Sequence, residues 1–372
     1  MICVIYGTTG ELIKLAPVLR RLQERHIAYT SVTTAQQVQQ IAELLTLLKL
    51  PQPDIWLAHG QAGRDLRTMG NVPGWLARTA SNFLRERGRL KAMMRAGVGK
   101  PLVLVQGDTM TTVIGAIIGR NLGASVAHIE SGLRSWDLFN PFPEELDRRT
   151  SSRIADLLYA PGAWAASNLR RGIVIDTGSN TIRDSLALAD DALDQSITIP
   201  SEPFGLVSLH RFELLTNRRL LEATLEVLAD HTQHQPLLFI NHAVTVAAIE
   251  KHGLSSVLDR PGFRRIPRLP FLRFIPLLRR SAFIVTDSGG NQEETFYLDI
   301  PCLVHRKRTE RREGLDENVV LSGHRIDALR AFLAQPVDHH RRSPLPAGSP
   351  SQVIVNDLIA RGFAEPHAAP KS

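Results

Sequence analysis

The feature that most constrains the fold is a regular alternation of short β-branched runs with longer helical patterns. In the first half, apolar runs such as "MICVIYG", "LVLVQGD" and "SVAHIE" are separated by segments with apolar residues at helical spacing. The alternation begins again with "FGLVSLH" and continues through "QPLLFIN", "AFIVTDS" and "IPCLVHR". Strands that alternate with helices form parallel sheets with helices on their faces. We therefore predict an α/β protein with two Rossmann-like, doubly wound domains.

The length of 372 residues suits about two domains. We place their junction in "VIDTGSNTIRDSL", which gives an N-terminal domain over residues 1–175 and a C-terminal domain over residues 176–351. A last helix, over about 352–372, can pack back on the N-terminal domain. Two similar α/β halves commonly enclose a nucleotide-linked substrate, so we expect the active site in the cleft between the domains.

Composition limits the partners. The formal net charge of +7 indicates an anionic partner, either a nucleic acid or a phosphorylated small molecule. The basic residues are spread along the chain and mixed with acidic ones, without a nucleic-acid-binding motif, so we predict no nucleic acid partner. No apolar run approaches the roughly 20 residues of a membrane-spanning helix, and no signal peptide is recognisable. We expect a cytoplasmic protein with no membrane partner.

Cysteine and histidine usage argues against a metal. Cys3 and Cys302 each lie in an apolar run typical of a strand, so we predict two buried cysteines. Neither the cysteines nor the histidines have the spacing of metal ligands, and we predict no metal site. The first turn, "GTTGE" (7–11), does not follow the G-x-G-x-x-G pattern, and no P-loop motif is present. A dinucleotide cofactor is not supported, and we expect a plain turn with a helix N-cap.

Three acidic residues stand at the ends of predicted strands or the start of a helix: Asp108 in "QGDTMTT", Glu130 in "HIESGLRSWD" and Glu144 in "NPFPEELDRR". Each has two open interpretations, because acids also serve as N-caps or stabilise a first helical turn. Their coincidence at one edge of a sheet favours function. Repulsion and burial raise the pKa of at least one carboxyl group in such a cluster, which suits general acid–base chemistry.

The second half supplies two candidate anion sites. His210 and Arg211 follow a strand in "SLHRFE", where an arginine can clamp an anion. In "TDSGGNQEE", Ser288, Gly289 and Gly290 precede a helix whose first N–H groups suit a diphosphate. One turn further on, Glu294 can accept hydrogen bonds from ribose hydroxyls. Together these features predict a nucleotide diphosphate ligand.

Two neighbouring charged features have a simpler interpretation. Glu293 lies on a different helical face from Glu294, and we expect it only to stabilise the first turn of its helix. The run "HRKRTERRE" (305–313) is expected to be largely a solvated surface segment in which arginines pair with glutamates.

Eight motifs occur in one order along the chain: "IKLAPVL", "GDTMTT", "HIESGLRS", "NPFPEELDRR", "TGSNTIRDSL", "LHRFE", "TDSGGNQEE" and "TERRE". This ordered set resembles one known family, the non-hydrolysing UDP-N-acetylglucosamine 2-epimerases. The resemblance implies a GT-B-like fold, a homodimer, and interconversion of UDP-GlcNAc and UDP-ManNAc without NAD or another cofactor. It also implies elimination of UDP to a 2-acetamidoglucal, followed by readdition.

The resemblance assigns roles by matching position. Asp108, Glu130 and Glu144 match the acid–base carboxylates, and His210 matches a catalytic or substrate-contacting histidine. The matches to substrate-binding residues are Lys14, Arg134, Arg211, Ser288, Gly289, Gly290 and Glu294. Gln36, Gln39 and His242 align with a second, activating UDP-GlcNAc site.

Two departures from the family pattern affect nucleotide binding and activation. The family's "GTRPE" is "GTTGE" here, so Thr9 replaces an arginine that helps to hold the nucleotide. Arg211 or Arg306 can compensate, or the substrate differs. At the second site the usual "QH" is "QQ" (Gln36, Gln37), and the usual "HxNP" is "HAVT" (242–245). Whether UDP-GlcNAc activates the protein is therefore left open.

Three alternatives to a non-hydrolysing UDP-GlcNAc 2-epimerase stay open. A relative that hydrolyses its substrate would release ManNAc and UDP. Another would epimerise a modified UDP-sugar, such as a diacetamido hexuronate. A sugar-nucleotide-binding protein or a glycosyltransferase on the same fold would not depend on the Asp108 carboxylate. The assignment of base and acid among the carboxylates, and the pathway served, also stay open.

Overall fold

The computed structural model describes residues 1–59, 66, 69–137, 143–189 and 198–366. Contacts divide the chain into two compact units. Unit 1 comprises Met1–Leu188 and Pro346–Ser372, and unit 2 comprises Ala189–Leu345. The boundary between residues 175 and 176 that we placed from sequence stays a prediction, and in this division it lies inside unit 1.

Unit 1 contains a parallel sheet with seven strands in the described residues. The strands are β1 (Ile2–Tyr6), β2 (Tyr29–Thr33), β3 (Ile55–Trp56), β4 (Leu102–Gln106), β5 (Ser125–Ile129), β6 (Leu157–Ala160) and β7 (Ile173–Asp176). Their order is β3-β2-β1-β4-β5-β6-β7. The strand order therefore reverses between β1 and β4, which is where a doubly wound sheet opens a crevice for ligands.

Helices connect these strands and cover the sheet. They are α1 (Thr9–Glu24), α2 (Val38–Leu47), α3 (Val72–Ala96), α4 (Met110–Leu122), α5 (Glu144–Ile154), α6 (Ala163–Ser167) and α7 (Ile182–Leu186). Every residue of β1 and of β4 is buried, as expected for apolar strands covered on both faces. On one face Ile5 and Val105 pack in one core with Phe83 and Leu90 of α3.

Unit 2 repeats the plan with six parallel strands in its described residues. They are β8 (Gly205–Ser208), β9 (Leu237–Asn241), β10 (Phe263–Pro267), β11 (Phe283–Thr286), β12 (Cys302–Val304) and β13 (Val319–Leu321). The order is β10-β9-β8-β11-β12-β13, so the reversal lies between β8 and β11. The helices are α8 (Phe212–Leu215), α9 (Arg218–His231), α10 (Ala243–His252), α11 (Phe271–Arg280), α12 (Gly289–Leu298) and α13 (Ile326–Ala334).

The chain returns to unit 1 after residue 345, where α14 (Pro350–Ala360) packs against α1. Arg21 of α1 donates to Ser351 Oγ at 2.7 Å, and Tyr159 donates to Asp357 Oδ2 at 2.9 Å. Two doubly wound parallel sheets confirm the predicted fold class. Cys3 and Cys302 are both buried, as predicted. No helix in the described ranges is long and apolar enough to cross a bilayer.

Candidate active site

Asp108 lies in the turn between β4 and α4, but it does not cap the helix. Thr109 is the N-cap, and its hydroxyl accepts from the N–H of Thr112. Gly107 has a φ of +78°, a left-handed conformation that favours glycine, and it turns the chain between the strand and the cap. Asp108 therefore precedes the helix, and its carboxylate accepts a short hydrogen bond from Arg148 Nη2. The capping interpretation of Asp108 was wrong.

Glu130 follows the neighbouring strand β5 and is almost completely buried. Lys14 of α1 places its Nζ 2.7 Å from each carboxylate oxygen, and the side-chain amide of Gln106 donates to Oε2. Lys14 and Gln106 therefore both act as hydrogen-bond donors to the Glu130 side chain. Gln106 pairs with Ile129 across the two strands, so the ends that lead to Asp108 and Glu130 are adjacent.

Helix α5 is attached to the Asp108 turn through Arg148. This arginine is 1% exposed, and its guanidinium donates to Asp108 and, at 2.8 Å, to Glu145 Oε2. Glu144, the first residue of the helix, is half-buried. Glu144 was predicted as a site residue from its motif, whereas the link from this helix to Asp108 through Arg148 was not predicted.

Asp147 of α5 is a further carboxyl group, which was not among the site residues predicted from sequence. Burial raises its pKa to about 7, and the charges of Asp108 and Glu144 add to the rise. Because Asp108 and Glu144 both act on the pKa of Asp147, the three carboxyl groups belong to one cluster. The quoted motif "NPFPEELDRR" contains Asp147 three residues after Glu144, a spacing that puts two side chains on one helical face.

The raised pKa of Asp147 predicts a pH-dependent stability. The unfolded aspartate ionises near pH 3.9, whereas the folded one ionises at about 7, so stability falls as the pH rises between these values. Asp147→Asn removes this loss. We expect its free energy of unfolding, relative to wild type, to increase by about 1–2 kcal/mol from pH 4.5 to 7.5, allowing for partial exposure. Urea denaturation at both pH values measures it.

The control for this measurement is Glu43→Gln, which alters an exposed carboxyl group of α2 in the same unit. It should show an equal difference from wild type at both pH values. A difference between Asp147→Asn and wild type that does not change with pH would contradict the assignment of a raised pKa to Asp147.

In unit 2, His210 and Arg211 lie at the end of β8 and are held by Asp287 at the end of β11. The backbone N–H of His210 donates to both oxygens of Asp287, at 3.0 and 2.8 Å, and that of Arg211 donates at 2.8 Å. Asp287 is fully buried, and burial raises its pKa to about 6. The stretch "TDSGG" contains Asp287. Its role in holding His210 and Arg211 becomes visible only from the contact between the ends of β8 and β11.

The His210 ring is neutral at pH 7. Burial lowers its pKa to about 4, and the nearby charges of Arg211, Arg268 and Arg306 lower it further. Its Nδ1 lies 3.2 Å from Asp287 Oδ1 without the alignment of a hydrogen bond. A neutral imidazole can donate one hydrogen bond from its N–H and accept one at its other nitrogen, so His210 suits contact with a polar substrate group.

The residues predicted to form an activating site occur in both units. His242 belongs to unit 2, where its ring centroid is 4.8 Å from that of His210 and its Nε2 is 3.1 Å from Ser208 Oγ. Gln36 belongs to unit 1 and donates to Thr111 Oγ1 at 2.8 Å, while Gln39 is exposed on α2. Their role in activation stays a prediction.

The N-terminus of α12 has the geometry of an anion site. Ser288 is the N-cap, and Gly289 and Gly290 are the first two helical residues, whose N–H groups have no partner within a helix. A Cβ atom at Gly289 would lie 2.6 Å from Arg311 Nη1, so a larger residue there would displace the Arg311 guanidinium. Glu294 is buried, and its Oε2 accepts from Asn291 Nδ2 at 2.7 Å.

Comparison with known proteins identifies the family. The model of the family described as UDP-N-acetylglucosamine 2-epimerase matches residues 20–347. A UDP-N-acetylglucosamine 2-epimerase of Methanococcus maripaludis is 30% identical over 95% of this chain and 96% of its own. The chain belongs to the UDP-N-acetylglucosamine 2-epimerase family.

Solved structures agree with this assignment. The Methanocaldococcus jannaschii epimerase in complex with UDP-GlcNAc and UDP superposes with a TM-score of 0.78 at 26% identity, over 96% of this chain and 99% of that one. The Neisseria meningitidis epimerase bound to UDP-GlcNAc gives a TM-score of 0.80 at 25% identity over the same shares. The chain is thus an isomerase with the GT-B-like fold of this epimerase family.

Burial contradicts two simpler interpretations of charged residues in this epimerase, although the predicted pairing of arginines with glutamates in the run 305–313 is confirmed. Glu293 is fully buried, and its Oε2 lies 2.8 Å from Arg311 Nε. In the run 305–313, Arg306, Glu310 and Arg311 are also buried, and Glu310 pairs with both arginines. Most residues of α12 are buried, and Glu293 is one of them. Its carboxylate therefore needs a buried cation as a partner.

The structure also describes the surroundings of Arg134 and Thr9 in this member of the epimerase family. Arg134 is half-buried, and burial lowers its pKa to about 10. Thr9, at the position of the family's arginine, donates from N and Oγ1 to Gln37 Oε1 at 3.0 and 2.8 Å. The departures at Thr9 and Gln37 therefore contact each other.

Among the residues that the structure describes, no group of His, Cys, Asp or Glu is arranged to hold a metal ion.

Proposed function

We propose that this enzyme interconverts UDP-GlcNAc and UDP-ManNAc by elimination and readdition of UDP. The observation that carries the proposal is the pair of acidic residues after adjacent strands, Asp108 beside Arg148 and Glu130 beside Lys14. Inversion at C2 requires removal of a proton from one face and its return on the other. Two carboxyl groups in different electrostatic settings suit that task.

In the proposed reaction a carboxylate takes the C2 proton as the C1–O bond to UDP breaks. The C–H electron pair forms the C1=C2 double bond, which gives 2-acetamidoglucal and UDP. A carboxylic acid then protonates the opposite face of C2, and a UDP oxygen bonds again to C1. We assign these transfers to Asp108, Glu130 and Glu144 as a group.

Unit 2 is proposed to hold the nucleotide. The N-terminus of α12, at Ser288, Gly289 and Gly290, suits the negative charge that grows on the leaving diphosphate. Glu294 is proposed to accept from the ribose hydroxyls. His210, Arg211, Lys14 and Arg134 are proposed substrate contacts, and no cofactor is invoked. The complexes of the two relatives with UDP-GlcNAc support a UDP-sugar substrate.

Proton NMR of UDP-GlcNAc incubated with the enzyme in D2O tests the proposal. We expect loss of the C2 proton signal together with the appearance of UDP-ManNAc. Free ManNAc as the main product would replace the proposal by the hydrolysing alternative. If no exchange occurs with UDP-GlcNAc, the same assay with a diacetamido UDP-sugar distinguishes a different substrate from a protein that only binds nucleotide sugars.

The family resemblance also supports a homodimer as a proposal. Light scattering coupled to size-exclusion chromatography should give twice the chain mass of 41.2 kDa. A single 41.2 kDa species at assay concentrations would contradict it.

A further inference from the structure

Glu11 joins two strand–helix turns of unit 1. The residue is 2% exposed. Its Oε2 accepts from the backbone N–H groups of Gly7 and Thr8, each at 2.8 Å, in the turn between β1 and α1. Its Oε1 accepts from Thr109 Oγ1 at 2.6 Å, in the turn between β4 and α4. One buried carboxylate thus connects elements about 100 residues apart in sequence.

The hydrogen-bond partners of the Glu11 side chain all act as donors to it. Burial raises the pKa of Glu11 above its ordinary value, and the hydrogen bonds from Thr109, Gly7 and Thr8 offset only part of that rise. Every one of these bonds is donated to the carboxylate, and both helix N-termini carry partial positive charge. Glu11 therefore satisfies the N–H groups of the turn between β1 and α1, and the N-terminus of α12 is the proposed diphosphate site.

The backbone is fixed on both sides of Asp108. On one side, the N–H of Gly107 donates to Ile129 O at 3.0 Å, and His128 Nε2 lies 2.7 Å from Gly107 O. On the other side, Thr109 is held by Glu11. Thr109 also caps α4, so removal of the Glu11 contact leaves that cap in place but releases the Asp108 turn from the turn between β1 and α1, and the side chain of Asp108 stays intact.

We propose that Glu11 is a positioning residue for Asp108, which it holds in place through the hydroxyl of Thr109. The inference rests on the proposed function, in which Asp108 takes part in proton transfer. Glu11 is not assigned a contact with substrate, so its loss should reduce the rate of the chemical step more than it weakens substrate binding. A displacement of about 1 Å at a catalytic group can cost on the order of 100-fold in rate.

Kinetics of Glu11→Gln test the proposal. We expect kcat for epimerisation to fall about 10- to 100-fold while KM changes by less than about 3-fold. The matched control is Glu24→Gln, an exposed glutamate at the end of the same helix, which should behave as wild type. An unchanged kcat in Glu11→Gln would overturn the proposal.

A double-mutant cycle separates positioning from a general structural effect. If Glu11 acts through Asp108, adding Glu11→Gln to Asp108→Asn should cause no further loss of residual C2 proton exchange. The same fold-loss in both backgrounds would show that Glu11 acts independently of Asp108, and would overturn the proposal.

Thr109 provides a second route if Glu11→Gln does not fold. Thr109→Val keeps the side-chain shape but removes the hydroxyl, which donates to Glu11 and also accepts from the N–H of Thr112 as the N-cap, whereas Thr109→Ser keeps both bonds. We expect Thr109→Val to lower kcat as Glu11→Gln does and Thr109→Ser to retain most of the activity. Equal activities of the two Thr109 variants would contradict a role of this hydrogen bond.

Amide hydrogen exchange tests the link without any substrate. Peptides covering residues 105–113 should exchange faster in Glu11→Gln than in Glu24→Gln, because the turn that carries Asp108 loses an anchor. Unchanged exchange in this segment would overturn the proposal even if the enzyme epimerises UDP-GlcNAc. Faster exchange in a protein that does not turn over UDP-GlcNAc would support the link and reject only the proposed function.

Discussion

Asp108→Asn is expected to lower kcat for epimerisation of UDP-GlcNAc by about 1,000-fold or more. A positioned acid or base typically contributes about 100- to 10,000-fold, and asparagine can neither take nor return the C2 proton. The variant keeps the size of the side chain and an oxygen that can accept from Arg148, so the turn between β4 and α4 should persist. Proton NMR of C2 exchange in D2O measures the loss directly.

The control for Asp108→Asn is the surface variant Glu43→Gln, together with a melting temperature for each protein. A wild-type rate of C2 exchange in folded Asp108→Asn would remove Asp108 from the proton-transfer group. Retained binding of UDP with lost exchange would instead locate the defect in chemistry, since the proposed nucleotide contacts lie in unit 2.

Arg311→Met should destabilise unit 2 strongly. Arg311 is the cation between two buried carboxylates, Glu293 and Glu310, and its removal leaves both without that charge partner. Breaking a buried ion pair from one side costs about 3–5 kcal/mol in the free energy of unfolding. Denaturant unfolding followed by circular dichroism should show an earlier transition, or an additional one for the affected unit.

Nucleotide affinity should fall in the same variant, because Arg311 also packs against Gly289 at the N-terminus of α12. The matched control is Arg312→Met, which changes the next residue, whose side chain is exposed. It should lower the free energy of unfolding by no more than about 0.5 kcal/mol. Equal destabilisation by both substitutions would contradict the structural role of the buried network.

The positions of Asp108 and Glu130 could be predicted from sequence for a simple reason. Each comes within two residues of the end of an apolar strand, and in a parallel sheet such ends gather at one edge. The N-terminus of α12 was equally accessible, because Ser-Gly-Gly after a strand is a local signal. The regular alternation of elements predicted parallel sheets, whereas the order of the strands is known only from the structure.

The failures concern contacts between distant segments. Glu293 was expected only to stabilise the first turn of its helix, because its buried ion pair is with Arg311, which lies in a distant loop. The raised pKa of Asp147 depends on burial and on Asp108, about 40 residues earlier. Helix α3 was also missed, although Trp75, Thr79 and Phe83 repeat every four residues along its buried face. That the two domains enclose the active site stays a prediction.

The return of α14 to unit 1 has a consequence for the order in which the protein folds during synthesis. A ribosome synthesises the whole of Ala189–Leu345 before it makes α14, which packs against α1. Unit 2 can therefore fold on the nascent chain while the first unit still lacks its final helix. The segment made first completes its packing last.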